Sequence, residues 1–359
     1  MAPTKPTLEL LRSLSDEHVV RALMVQRRAT RAELATATGL SKPTVSESVR
    51  RLDAAGAVVD TGERTSGRGR IGTYYALAPA GHALVASLAP AGIVAETLDV
   101  YGDVVARAEA SADAADVAAT LRASAGKGPY RLAVVSAADP VDRATGRLVE
   151  LPDAPFLLGE LDPAAVLGDV VEGPVTVDND VNWAARAEQR TGDFVYLHLG
   201  EGLGCAVVSD GEVRRGHLGL AGEIAHVLTA GPGGTAMRLT EVFGTLGLRR
   251  PGSTAIDVAK LLRAADLHDA IAGAVAGVLA AIVAFADPAV VVVGGDWGRE
   301  LLGAIECAFL RAPRHVPLAP AAAGREPALT AAREAALRQL RDAVVAGPRA
   351  RRADGCWRP

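Results

Sequence analysis

Cysteine is scarce in this chain: three among 359 residues, Cys205, Cys307 and Cys356, set far apart and never as a CxxC pair. That excludes a disulfide framework and a zinc ribbon, and it suits a reducing cytosol. The first fourteen residues hold no long apolar run ahead of a small-residue cleavage site, so no signal peptide is expected. The most apolar stretch, 270–286, is interrupted by Gly273 and Gly277, stops at Asp287-Pro288 and reads as a buried helix. A cytoplasmic protein without membrane contact is expected. Its 49% hydrophobic and 22% charged residues match a globular composition, long enough for two or three domains.

The net charge of −4 is uneven. Residues 1–80 carry twelve basic against eight acidic side chains, and the remainder 26 basic against 34 acidic. A basic module on an acidic body points to nucleic acid at one end only.

Within 1–80, Asp16 is placed to cap a helix whose Val19, Val20, Leu23 and Met24 share one face. A second helix, 31–38, turns Leu34 and Ala35 inward; Gly39 takes the turn, and Ser41 caps a third helix burying Val45, Val49 and Leu52. A small residue at Ala35, a glycine four residues on and a valine six residues after that are helix-turn-helix spacings. Arg31, Ser41, Lys42, Thr44, Ser46, Ser48 and Arg50 are the candidate contacts to phosphates and base edges. Strands at 58–59 and 73–77 enclose a Gly/Arg tip, where Arg68 and Arg70 are expected to enter a minor groove. The plain alternative is a three-helix structural module with a solvated basic loop.

Beyond residue 80, strands are expected at 84–88, 93–100, 104–108, 132–135, 174–177, 194–199, 205–209 and 289–293. Helices alternate with them, and glycine-rich turns close several strand ends, which indicates an α/β body with a ligand cleft. Residues 347–359, with four arginines and two prolines, read as a loose tail. The domains expected are therefore 1–80, 81–346 and the tail.

Asn179-Asp180-Val181-Asn182, Ala221-Gly222-Glu223-Ile224-Ala225-His226 and Val291-Val292-Val293-Gly294-Gly295 resemble three segments of the ROK family of repressors and sugar kinases. Gly39-Leu40-Ser41-Lys42-Pro43-Thr44-Val45-Ser46 and the Arg68-Gly69-Arg70 tip resemble its regulator branch. The resemblance implies an actin/hexokinase-like (ribonuclease H-like) body of two α/β lobes behind the winged helix-turn-helix. It implies sugar contacts at Asn179, Asp180, Glu223, His226 and Glu241. The residues suit that chemistry, since a carboxylate accepts hydroxyl protons while an amide both donates and accepts. Each also has a plainer role open to it: a helix cap for Asp180, a core histidine for His226, a solvated charge for Glu223 and Glu241.

The chain departs from the kinases of that family twice over. The first phosphate loop reads Ser87-Leu88-Ala89-Pro90-Ala91-Gly92, without a carboxylate to position Mg²⁺. The second, Gly200-Glu201-Gly202-Leu203-Gly204, sets a carboxylate where phosphate oxygens would lie. Phosphoryl transfer is not expected, and no catalytic residue is assigned. No metal or cofactor is expected either: the family's zinc cysteines would fall between His226 and Glu241, where this chain has none. The expectation is a DNA-binding regulator, a repressor, binding a double-stranded operator as a homodimer under control of a sugar-like effector. An active sugar kinase, or a regulator whose body only dimerises, stay open as alternatives.

Overall fold

The computed structural model describes residues 8–65, 71–111, 117–151 and 161–353. The N-terminal module comprises α1 (Leu8–Gln26), β1 (Arg28–Thr30), α2 (Arg31–Thr38), α3 (Lys42–Ala54), β2 (Val58–Arg64) and β3 (Thr73–Leu77), with the strands ordered β1-β3-β2. Thr30 caps α2 in a reciprocal box with Glu33. Gly39 ends α2 in the left-handed region at φ 69°, as the turn requires. Ser41 caps α3, its Oγ accepting from Thr44 N at 3.3 Å.

Asp16 does not cap a helix. Helix α1 starts at Leu8, and Asp16 lies buried within it, paired with Arg51 of α3 at 2.6 Å. An unpaired carboxylate could not stay there; the guanidinium from α3 is what makes its burial possible.

Lobe one is a five-stranded sheet in the order β6-β5-β4-β7-β8. Its strands are β4 (Ala83–Ala89), β5 (Gly92–Leu98), β6 (Val104–Ala110), β7 (Leu132–Ala137) and β8 (Val175–Asn179). Helices α4 (Val117–Ser124), α5 (Pro163–Leu167) and α6 (Asp180–Ala187) accompany it. Lobe two repeats the plan in the order β11-β10-β9-β14-β15. There β9 (Phe194–Leu199), β10 (Leu203–Ser209) and β11 (Glu212–Val213) form the antiparallel half, and a hairpin of β12 (Leu228–Ala230) and β13 (Ala236–Arg238) lies apart. Helices α7 (Leu239–Thr245), α8 (Val258–Arg263) and α9 (His268–Ala286) follow. The parallel strands β14 (Val290–Gly294) and β15 (Leu318–Pro320) flank α10 (Leu302–Phe309), and α11 (Pro327–Ala353) returns to lobe one. Both sheets thus pair an antiparallel meander with two parallel strands. This is the two-lobed α/β body expected.

Segment 265–286 has the length and mean hydropathy, 2.1, of a membrane span. Within the fold it is mostly α9, which buries Ile271, Val275, Leu279 and Val283 in the core of lobe two with Phe243, Trp297 and Phe309. Helix α11 corrects the expected tail: it continues through Gly347 and Pro348 to Ala353, carried on by a run rich in arginine and alanine, which favour helix. Residues 354–359 lie outside the described residues.

One hydrophobic core joins the N-terminal module to lobe one. Val19, Val20, Leu23, Val45 and Val49 belong to the same buried cluster as Val85 and Val134 of the sheet and Ala332, Ala336 and Leu340 of α11. The alanines let α11 lie close to the strands. Arg21–Asp342 at 3.3 Å and Arg27–Asp103 at 2.6 Å rim the junction.

Candidate functional site

The DNA-facing candidates are the simpler group. Ser41, Lys42 and Arg50 are exposed, and Thr44 and Ser46 half-buried, along α3. Arg50 is held by Glu47 through two hydrogen bonds, 2.7 and 3.0 Å. Arg31 lies over the Tyr75 ring of the wing at 5.0 Å, so its direction is set before any ligand arrives. Ser48 is misplaced by the sequence reading: it is fully buried, and its Oγ accepts from Arg51 Nη2 at 3.0 Å. It comes three residues after Val45, on the inner face of the helix, and cannot reach a base. Arg68 and Arg70 lie outside the described residues.

Between the lobes is a cavity of about 400 Å³, large enough for a small sugar. It brings together Asn179, Asp180, Glu223 and His226 from two distant segments. Asn179 is the N-cap of α6. Its Oδ1 accepts from Val181 N at 2.9 Å, and its Nδ2 faces the carbonyls of Ala137, Ala138 and Asp139 at 3.3–3.4 Å. Its amide therefore fixes the end of β7 against α6 and sets the position of its neighbour. Asp180, in the first turn, is the residue left facing the cavity.

Gly222 has φ 103°, and a Cβ there would stand 1.8 Å from Cys205 O. Only glycine lets this loop lie on β10, where Cys205 N donates to Gly222 O at 3.0 Å. That contact turns Glu223 into the cavity. Burial pushes the Glu223 carboxyl up to about 7, helped by the charges of Asp180 and Asp139. Asp180 is raised by burial too, opposed by His198 and by the Val181 N–H. Carboxylates that repel one another in a confined space are poised to accept ligand hydroxyl protons.

Glu241 is placed elsewhere. Its carboxylate accepts from Arg238 N and Arg238 Nη2, both at 2.8 Å, and it is not among the residues lining the cavity. Arg238 holds it below the usual carboxylate range. Its neighbour Thr240 lines the cavity instead.

Among the lining residues that sequence reasoning missed are Asp139, His198, Arg250 and Asp296. His198 stands out as the polar position in Phe194–Leu199, a strand otherwise apolar or aromatic. Arg250 sits in a loop with no pattern to mark it. It forms an ion pair with Glu201, which changes the argument about the second phosphate loop. Glu201 is not a bare repelling charge; an entering anion would have to displace it from Arg250. At the first loop, the β4–β5 turn offers the cavity Pro90 and Ala91.

A ROK family model matches residues 119–241, and a winged helix-turn-helix DNA-binding model matches 12–59. The bifunctional enzyme NanE/NanK of Brucella suis is 34% identical over 165 residues, covering 38% of this chain and 31% of the enzyme. The chain thus spans about a third of that curated relative. The xylose repressor of Caldicellulosiruptor bescii is 37% identical over 59 residues, 15% of each chain. A solved ROK family transcriptional regulator, described as a homologue of the E. coli MLC protein, superposes with a TM-score of 0.59 at 17% identity. That superposition covers 93% of this chain and 99% of the other, and it speaks for the fold alone.

Proposed function

Because the chain belongs to the ROK family and sets a winged helix-turn-helix ahead of kinase-like lobes, we propose that it is a cytoplasmic transcription regulator, a repressor whose operator affinity a sugar or sugar-derived ligand controls. The observation that carries this reading is the shared core. The recognition helix and the lobe bearing Asp180 are packed as one piece through α1 and α11, so a ligand that moves the lobes moves α3 with them. A ligand held between Asp180 and Glu223 contacts segments distant in the chain and favours whichever lobe arrangement it fits best. In a homodimer, which paired half-sites favour, that change resets the spacing of two recognition helices and lowers operator affinity.

The body acts here as a sensor without phosphoryl transfer. Pro90 and Ala91 supply neither carboxylate nor hydroxyl, and Glu201 already occupies the arginine at the second loop. The test is a titration of operator binding with a panel of sugars, for the wild type and for Asp180→Ala. The wild type should respond to one of them and the variant to none, with ligand-free DNA binding preserved. Equal responses in both would place the ligand elsewhere.

A further inference from the structure

The two lobes are strapped together at the cavity's edge. Segment 214–222 follows β11 and stays tied to lobe two at both ends, where Arg214 N donates to Val207 O at 2.8 Å and Cys205 N to Gly222 O at 3.0 Å. Its middle crosses to lobe one. Arg143 N donates to Leu218 O at 3.1 Å, and the Arg143 guanidinium donates to Gly216 O at 2.9 Å. Gly219, at φ 96°, lies so close that a Cβ on it would stand 2.1 Å from Val141 O. Arg215, from the same strap, brings its Nε to 3.2 Å from Asp178 Oδ1.

The partners of this contact are unequal. Asp178 is buried and held firmly within lobe one, where Arg186 Nη2 lies 2.7 Å from Oδ2, and Asn182 Nδ2 and Asn179 N each donate to Oδ1 at 2.9 Å. Arg215 Nε is also buried and within ion-pair distance, yet it is out of line for a hydrogen bond and has no other acceptor among the described residues. A buried N–H left this way carries a penalty that a small movement toward Asp178 would remove. Asp178 immediately precedes Asn179 and Asp180, and the strap runs directly into Gly222 and Glu223. One ion pair therefore joins the two segments that face each other across the cavity.

We propose that Arg215 and Asp178 form a latch poised to close the cleft. A small shift of the strap brings Nε into line with the carboxylate and carries Glu223 toward Asp180. The latch belongs to the lobes themselves. Its consequence, that engaging it tightens the grip on a bridging ligand, rests on the sensor reading above.

The test needs no ligand. Hydrogen–deuterium exchange on the full chain should show the Arg143 amide and peptides of 214–222 exchanging at least tenfold faster in Arg215→Ala, with β7 and β14 unchanged. Arg215→Lys, which keeps the charge but not the fork, should fall between. An unchanged Arg143 amide overturns the latch. Equal acceleration in β7 and β14 also overturns it, because the arginine would then serve general stability. Should the alanine variant aggregate, energy transfer between dyes on Cys307 and Lys127→Cys, in a Cys356→Ser background, compares Arg215 with Arg215→Lys. Both labelled positions are exposed while Cys205 is buried. A lower transfer efficiency in the lysine variant is expected, and identical efficiencies would refute the latch.

Discussion

Replacing Glu223 by glutamine should change how the protein's stability depends on pH. The carboxyl is raised from 4.5 to about 7, chiefly by burial and then by Asp180 and Asp139. Across that window the folded protein keeps a proton that the unfolded chain has already released. Stability therefore falls as pH rises through it, and the whole penalty is present above about pH 7. At about 1.36 kcal/mol for each pH unit between the two values, the penalty comes to about 3 kcal/mol. Glu223→Gln keeps the shape and has no proton to lose. The variant should match the wild type near pH 4.5 and exceed it increasingly up to pH 8, by about 4 °C in melting temperature. Thermal melts of both proteins between pH 4.5 and 8.5 give the comparison. Parallel curves would refute the reasoning, because they would mean that Glu223 ionises as freely in the cleft as in water.

Asp16→Ala leaves Arg51 half-buried without its main carboxylate, and it should destabilise the N-terminal module by about 3–5 kcal/mol, seen as lost DNA binding in a gel shift. Lys42→Ala should weaken binding to all sequences alike and reduce the salt slope of log K by about one, whereas Ser48→Ala should alter stability and leave base preference untouched. With ATP and a panel of hexoses, product formation should not exceed that of a control without protein; turnover above it would remove the case against a kinase.

The helix-turn-helix and the alternation of the body were legible because they rest on local chemistry: glycine at a left-handed turn, serine at a cap, apolar residues at fixed periods. Ser48 shows where that reading slipped. Val45, Val49 and Leu52 define the inner face of α3, and position 48 falls on it; its hydroxyl serves the half-buried Arg51 rather than the surface. The role of Asp16 is hidden in the same way, since its partner Arg51 lies 35 residues away. In the cavity, Asn179, Asp180, Glu223 and His226 could be found by resemblance. Arg250 and Asp139 reach it only through folding together of loops that carry no periodic signal. Glu241 fits its motif in sequence, but Arg238, three residues before it, claims the carboxylate.

The core shared by residues near 20 and near 340 also bears on how the protein is made. At synthesis rates of about 5–20 residues per second, α1 waits on the order of half a minute for α11 to emerge. Until then Val19, Val20 and Leu23 lack part of their packing, and a nascent or truncated chain displays a recognition helix on an incomplete foundation. The helix-turn-helix would thus gain its full packing only once α11 has been made. A chain lacking α11 would present the winged helix-turn-helix without part of its core, as a substrate for proteases.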